Sequence, residues 1–291
     1  MNDDLVSICV ISYNSMNTIV ETLESIKNQT YQRIELIISD DCSQDKTVCV
    51  VNDWIKENKS RFVNTEFLTS EINCGVTKNC NKALRRASGF LLKDIAADDV
   101  LDKNYIESCV EFFSENKDAK VLMTDVWFEN LNHEKINKKY DVLDYSFFEK
   151  NNQEQSDYVL KGKLPTIPTP SMIVRRDLFE YLGFYDERIP MWEDGPFFFR
   201  LAENKVKIYF LNKELVKIYV RDNSLSNGFN KRFVISAGLF YKYYQFKYDV
   251  RRNFIFAMIR YVFNFIKINI ENKLCLFIFN RIKFTKENNS I

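Results

Sequence analysis

The chain has 291 residues, 46 % of them apolar and 28 % charged, with 41 Lys/Arg against 40 Asp/Glu for a net charge of +1. That is enough chain for one large domain or two small ones, and so even a balance argues against wholesale nucleic-acid binding. The single histidine, His133 in NLNHEKINKK, argues against a histidine triad or a multi-histidine metal site, and the seven cysteines (9, 42, 49, 74, 80, 109 and 275) form no CxxC pair, which removes zinc and thioredoxin-like readings. Their odd number and the lack of a leader-like N-terminus lead to the expectation of a reducing, cytoplasmic setting.

In chain order, Val6–Ser12 (VSICVIS) reads as a strand covered on both faces. Residues 18–28 put Ile19, Leu23 and Ile26 on one helical face, and residues 34–39 (IELIIS) form a second strand running into Asp40 and Asp41. A helix over 45–58, a strand over 62–68 and a helix over 76–87 follow. A strand over 90–95 leads to Asp98 and Asp99, and then come a helix over 104–116 and a strand over 120–128. This alternation predicts a mostly parallel sheet with right-handed crossovers, whose ligands bind at the carboxyl ends of the strands. Polar clusters stand at three of those ends: Tyr13-Asn14, Asp40-Asp41 and Asp98-Asp99. Adjacent acids closing an apolar strand are costly to desolvate without a cationic partner. Mn2+ or Mg2+, which takes oxygen ligands and shares its shell with phosphate and water, suits them. The plainer reading is a strand end followed by a helix over 103–116 capped by Asp102.

Residues 130–165 lose the rhythm and read as a variable loop with short helices. Order returns at 170–175, then at a helix over 177–182 closed by Gly183. In WEDGPFFFRLAE (192–203) Glu193 and Asp194 fall in a first helical turn, where the dipole favours anions, and Pro196 takes an early helical position. Short strands are expected at 207–210 and 215–221. No run of about 18 apolar residues indicates a transmembrane helix. From residue 231 onward twelve Lys/Arg face three acids, a net +9, leaving −8 for the remainder. Within that tail Asn253, Arg260, Asn264, Lys267 and Glu271 trace one narrow polar stripe on an otherwise apolar, aromatic helix. Such a helix either docks in a core or lies in a bilayer surface.

The segments VSICVISYNSMNTIVETLESIKNQTYQRIELIISDDCSQDKT, NCGVTKNCNKALRRASG, IAADDVL, SMIVRRDLFEYLGFYDE, WEDGPFFFRL and YVRDNSLS, each degenerate alone, are specific in this order and spacing. Over residues 6–226 they resemble the GT-A glycosyltransferases of the large inverting family 2, the type that builds bacterial surface polysaccharides such as O-antigen and capsule. The resemblance implies an α/β fold of the GT-A nucleotide-diphospho-sugar transferase type, a mostly parallel central sheet flanked by helices with a C-terminal helical extension. Residues 1–229 would be the catalytic domain and 230–291 a basic, aromatic-rich tail that meets a membrane surface or forms a homodimer. The implied activity is inverting, metal-dependent transfer of a sugar from a nucleotide-diphosphate donor, a UDP-sugar by this resemblance, to a hydroxyl of a glycan or lipid-linked acceptor. The alternatives are a non-catalytic nucleotide-sugar-binding or scaffold relative, and a sugar nucleotidyltransferase, whose glycine-rich loop SYNSMN lacks.

Carried over residue by residue, Ser12, Tyr13 and Asn14 would line the nucleoside site, Tyr13 against the base. Asp41, with Asp40 beside it, would accept the uracil N3–H, or the pair would cap the helix from Asp45. Lys78 would lie near base and phosphate, or be a solvated helix lysine. The family's metal motif is often Asp-x-Asp-Asp; the first position here is Ala96, which leaves Asp98 to contact the ribose or the metal and Asp99 to ligate Mn2+ or Mg2+. Asp94 reads as pointing to solvent. Asp194 aligns with the catalytic base, with Glu193 as the alternative. Trp192 would pack on a sugar face or in the core, and Arg221 would pair with phosphate oxygens or end a strand. The expected setting is cytoplasmic and peripheral on the inner leaflet of the membrane.

Overall fold

The structure is a computed structural model that describes residues 4–130, 134–136, 143–220 and 231–269. The chain divides into two units, Met1–Gly228 and Phe229–Ile291. In the first, the elements are β1 (Val6–Ser12), α1 (Ile19–Lys27), β2 (Ile34–Asp40), α2 (Thr47–Asn58), β3 (Asn64–Thr69), α3 (Val76–Leu84), β4 (Leu91–Ala96), β5 (Val100–Leu101), α4 (Tyr105–Glu115) and β6 (Val121–Glu129). They continue as α5 (Ser146–Glu149), α6 (Asn152–Leu160), β7 (Met172–Arg175), α7 (Arg176–Leu182), α8 (Asp194–Glu203) and β8 (Ile208–Tyr219).

One eight-stranded sheet has the order β3-β2-β1-β4-β7-β6-β8-β5. The runs VSICVIS and IELIISD are almost wholly buried, as parallel strands covered on both faces must be. The chain winds outward from β1 through β2 to β3, then returns to lay β4 on the other flank of β1, all parallel. That reversal makes the crevice between β1 and β4 a topological switch point. The turn into β4 presses on β1: a Cβ on Gly89 would come within 2.7 Å of the Leu5 carbonyl oxygen.

The far half of the sheet is mixed. β7 is antiparallel to both β4 and β6, β6 is parallel to β8, and β5 is antiparallel to β8. The two short strands expected at 207–210 and 215–221 are one strand. Thr124 faces Leu211 and Asp125 faces Glu214, so Asn212 and Lys213 bulge out without ending the pairing. The polar run that looked like a turn is therefore a bulge. The helix expected from 103 starts at Tyr105, with Asp102 accepting from the Asn104 amide at 2.9 Å in the turn before it.

The second unit holds α9 (Lys231–Phe240), a π-helical turn (Tyr241–Gln245), α10 (Phe246–Arg252) and α11 (Phe254–Asn269). No helix among the described residues is long and apolar enough to cross a membrane.

Candidate active site

Ser12 pairs with Asp40 across β1 and β2, and Ile11 with Ala96 across β1 and β4. With neighbouring strands about 4.8 Å apart, the carboxyl ends of these three strands form one ledge. Asp40 is fully buried there. Its Oδ2 accepts from the Ser12 hydroxyl at 3.0 Å and the Ser43 hydroxyl at 2.5 Å, and its Oδ1 from the Ser43 amide at 2.8 Å. Asp41 is buried as well, and its two oxygens accept the backbone N–H groups of Cys74 and Gly75, each at 2.8 Å. Gly75 has φ +90°, and a Cβ there would sit 3.0 Å from the Pro190 carbonyl oxygen, so only glycine fits this loop. The pair thus pins the loops around 43 and 74. Neither acid caps α2, whose N-cap is Lys46; the Thr47 amide at its start is accepted by Asp45 at 2.9 Å. Asn14, at φ +52°, accepts the Gln44 amide at 2.8 Å, while the Tyr13 ring stands 49 % exposed above the ledge loop.

Lys78 lies on the exposed side of α3. The lysine at the acid pair is Lys82, one helical turn on, whose Nζ donates to the Ser70 hydroxyl at 2.7 Å and to the Asp40 carbonyl at 3.3 Å. Burial lowers its pKa against the pull of Asp41 and Asp40. Three more α3 residues matter that the sequence reading passed over. Asn79 donates to the Ser39 carbonyl at 2.9 Å and accepts the Ser39 hydroxyl at 2.6 Å, fastening α3 to the end of β2. Thr77 donates to the Ile189 carbonyl at 2.6 Å, and Asn81 exchanges two bonds with the Tyr185 backbone. They lash α3 to the loop that leads into Glu193. The available signal was three polar residues at alternate positions, Thr77, Asn79 and Asn81, within one short helix.

At the end of β4, α1 fixes the acidic turn through its side: Thr18 donates to the Ala97 carbonyl at 2.7 Å and Thr22 to the Asp99 carbonyl at 2.8 Å. Asp98 is half-buried and Asp99 buried. A cation already lies near: the ammonium of Lys93, wholly buried, is lowered by desolvation and raised by Asp94 and Asp99. The acids at this strand end therefore do not by themselves demand a metal. No group of three or more His, Cys, Asp or Glu among the described residues is arranged to hold one. Two adjacent carboxylates fit an ion that fills the rest of its shell from a diphosphate and water.

Asp94 does not turn to solvent as expected from sequence. It is half-buried and accepts the Tyr185 hydroxyl at 3.1 Å. Strand alternation puts it on the face opposite Lys93, toward the start of α8. Glu193 and Asp194 sit at that start. Asp194 Oδ1 accepts the Gly195 amide at 2.7 Å and Oδ2 the Thr169 hydroxyl at 3.0 Å, and the Trp192 side chain also hydrogen-bonds it. Burial raises the Asp194 pKa and these donors oppose the rise. Glu193 is pushed up to about 8, by burial first and then by the charges of Asp194 and Asp94. A proton shared by the pair is therefore favoured on Glu193, since the donors on Asp194 favour its carboxylate form. Trp192 is half-buried beside them, and Arg221 lies outside the described residues.

A mixed sheet whose parallel half carries a switch-point crevice, with acidic strand ends and a separate carboxylate pair at the start of α8, is the kind of place where α/β folds bind ligands. The family model for glycosyl transferase family 2 matches residues 7–183, and the chain belongs to that family. It is 29 % identical over 250 residues (85 % of this chain, 80 % of the relative) to the uncharacterized glycosyltransferase MJ1057 of Methanocaldococcus jannaschii. Over 116 residues (40 % of this chain, 44 % of the relative) it is 34 % identical to the Escherichia coli UDP-Glc:alpha-D-GlcNAc-diphosphoundecaprenol beta-1,3-glucosyltransferase WfgD. Among solved structures, Staphylococcus aureus TarS 1–349 in complex with UDP-GlcNAc superposes with a TM-score of 0.64 at 20 % identity, covering 90 % of this chain and 72 % of that one. The mannosyltransferase PcManGT of Pyrobaculum calidifontis, in complex with GDP-Man and Mn2+, gives 0.62 at 17 %, covering 85 % and 64 %. These two likenesses establish the GT-A fold, with its C-terminal helices, for this chain.

Proposed function

We propose that residues 1–229 form a catalytic domain that moves a sugar from a nucleotide-diphosphate donor to an acceptor hydroxyl with inversion, and that 230–291 are an accessory tail. The observation that carries this reading is the carboxylate pair at the start of α8, of which Asp194 is the one that receives the Gly195, Thr169 and Trp192 donors. Asp194 takes the proton of the acceptor hydroxyl as that oxygen attacks the anomeric carbon, and the nucleoside diphosphate departs from the opposite face. One displacement inverts the centre. Glu193 remains protonated, which keeps a second negative charge away from the base.

On the donor side, the exposed Tyr13 ring is suited to stack on the base, with Ser12 and Asn14 shaping its loop. The Asp41 oxygens keep lone pairs for a base N–H beyond the two backbone amides they already hold. Asp40 and Lys82 brace that position, and Lys78 stands on the open side of α3. Asp98 is assigned to the ribose or the ion, and Asp99, with Asp98, would hold Mn2+ or Mg2+ together with the donor diphosphate. When bound, such an ion supplies charge stabilisation for the leaving diphosphate. Trp192 is assigned to a sugar face and Arg221 to phosphate oxygens. A UDP-sugar donor and a glycan or diphospholipid-linked acceptor, as in surface polysaccharide synthesis, are favoured by the relatives' names. A cytoplasmic setting agrees with six free thiols among the described residues. The test is turnover and calorimetric binding across a panel of UDP- and GDP-sugars with Mn2+. At least one donor is expected to bind and be turned over; a folded protein that binds none contradicts the reading.

A further inference from the structure

α11 is built inside out. Its charged residue Arg260 turns into the C-terminal unit: it donates to Asp249 at 3.1 Å and to Gln245 at 3.4 Å, and its guanidinium lies 4.7 Å from the centre of the Tyr241 ring. Asp249 and Gln245 are 5 % and 4 % exposed, and Arg252 of α10 closes on the other Asp249 oxygen at 2.7 Å. Small Ala257, wholly buried, lets the helix approach closely enough for the Tyr241 hydroxyl to reach its carbonyl at 3.2 Å. The opposite arc carries Phe254, Ile255, Phe256, Ile259, Val262 and Phe263, each 47–72 % exposed. At 100° per residue these six span roughly half the helix circumference. A surface helix ordinarily points its stripes the other way, and a contiguous exposed apolar face marks something it meets.

Charge decides what that is. From residue 231 onward the chain carries a net +9. Two copies joined through this face would bring like charges together, whereas an anionic lipid surface satisfies the apolar arc and the charge at once. Over its 16 described residues, about 24 Å, α11 falls short of a hydrocarbon core of about 30 Å. We infer that the C-terminal unit docks on an anionic bilayer, α11 lying in the interface plane with its Phe/Ile arc among the acyl chains, and the ion pair of Arg260 with buried Asp249 fixing which face turns outward. This goes beyond the transfer chemistry: vesicle binding and donor turnover are read separately, and either can fail without the other.

The experiment is co-sedimentation of the full chain with vesicles of phosphatidylcholine alone and of an equal mixture with phosphatidylglycerol. The wild type is expected to pellet with the mixed vesicles, weakly with the neutral ones, and less as salt rises. Ile255→Glu with Ile259→Glu should weaken binding at least tenfold. In the same mixtures, hydrogen exchange of the wild type should show residues 254–264 protected on adding anionic vesicles, a readout that needs no variant. Failure to pellet, or an unprotected segment, overturns the inference. So does a sedimentation-velocity dimer that the double substitution dissociates in a protein indifferent to vesicles, which would make the face an interface between copies of the chain.

Discussion

Two of the adjacent acid pairs in the first unit, Asp40-Asp41 and Glu193-Asp194, are used in opposite ways. Asp40 and Asp41, at the end of β2, are both well supplied: five donors from Ser12, Ser43, Cys74 and Gly75 converge on their four oxygens. Those donors come from the end of β1 and from two separate loops, so the pair is the clasp that shapes the ledge. Glu193 and Asp194 are supplied unequally. Donors gather on Asp194, while burial and two neighbouring carboxylates push Glu193 up to about 8. Sequence presents both as adjacent acids. What separates them is the number of N–H and O–H groups the fold aims at each oxygen, and that count divides architecture from chemistry.

Breaking the second pair should have the largest effect. Asp194→Asn is expected to lower kcat by roughly 10²–10⁴-fold, the usual worth of a positioned base, while calorimetric donor affinity stays near wild type. Collapsed donor binding would instead make Asp194 structural.

Breaking the first pair should act on stability. Asp41→Ala leaves the Cys74 and Gly75 amides without their acceptor, at about 1–3 kcal/mol for each buried unsatisfied group. The melting temperature should fall by several degrees, and donor affinity with it. Unchanged melting would mean that water replaces the carboxylate and that the clasp is not one.

Glu193→Gln sharpens the comparison through pH. Glu193 has a folded pKa raised from 4.5 to about 8, so between those values the native state binds a proton that the unfolded chain has lost. Its contribution to stability therefore falls as pH rises through that window. The Gln variant should remove this part of the slope and be relatively more stable at the alkaline end, as read by denaturant melts at several pH values. The smallest effect is expected from Thr169→Val, which removes one donor from Asp194, worth about 0.5–1.5 kcal/mol. It should move the acid limb of the pH–rate profile upward by up to about one unit, with little change in donor affinity.

The first half of the fold was legible because β1 and β2 are continuous apolar runs with polar residues packed at their ends, and one-dimensional periodicity suffices for that. Asp40, Asp41, Asp98 and Asp99 stand out for the same reason. The bulge in β8 was not legible, since Asn212 and Lys213 look like a turn until β6 is seen pairing across them. Asp94 was misread because alternation fixes which residues share a face but not which face meets α8. Thr77, Asn79, Asn81 and Lys82 act through carbonyls tens of residues away, which no local pattern reveals. The polar stripe of α11 could be drawn from sequence, but the inward turn of its Arg260 depends on Asp249 waiting in α10.

The most direct measurement is the resting protonation state of Glu193, followed as its side-chain carboxyl carbon signal by NMR from mildly acidic to mildly alkaline pH and assigned by its loss in Glu193→Gln. A protonated carboxyl at neutral pH that titrates at about 8, with Asp194 ionised throughout, is the expected result. A Glu193 carboxylate already ionised in mild acid would contradict the division of labour between the two residues, and with it the choice of Asp194 as base.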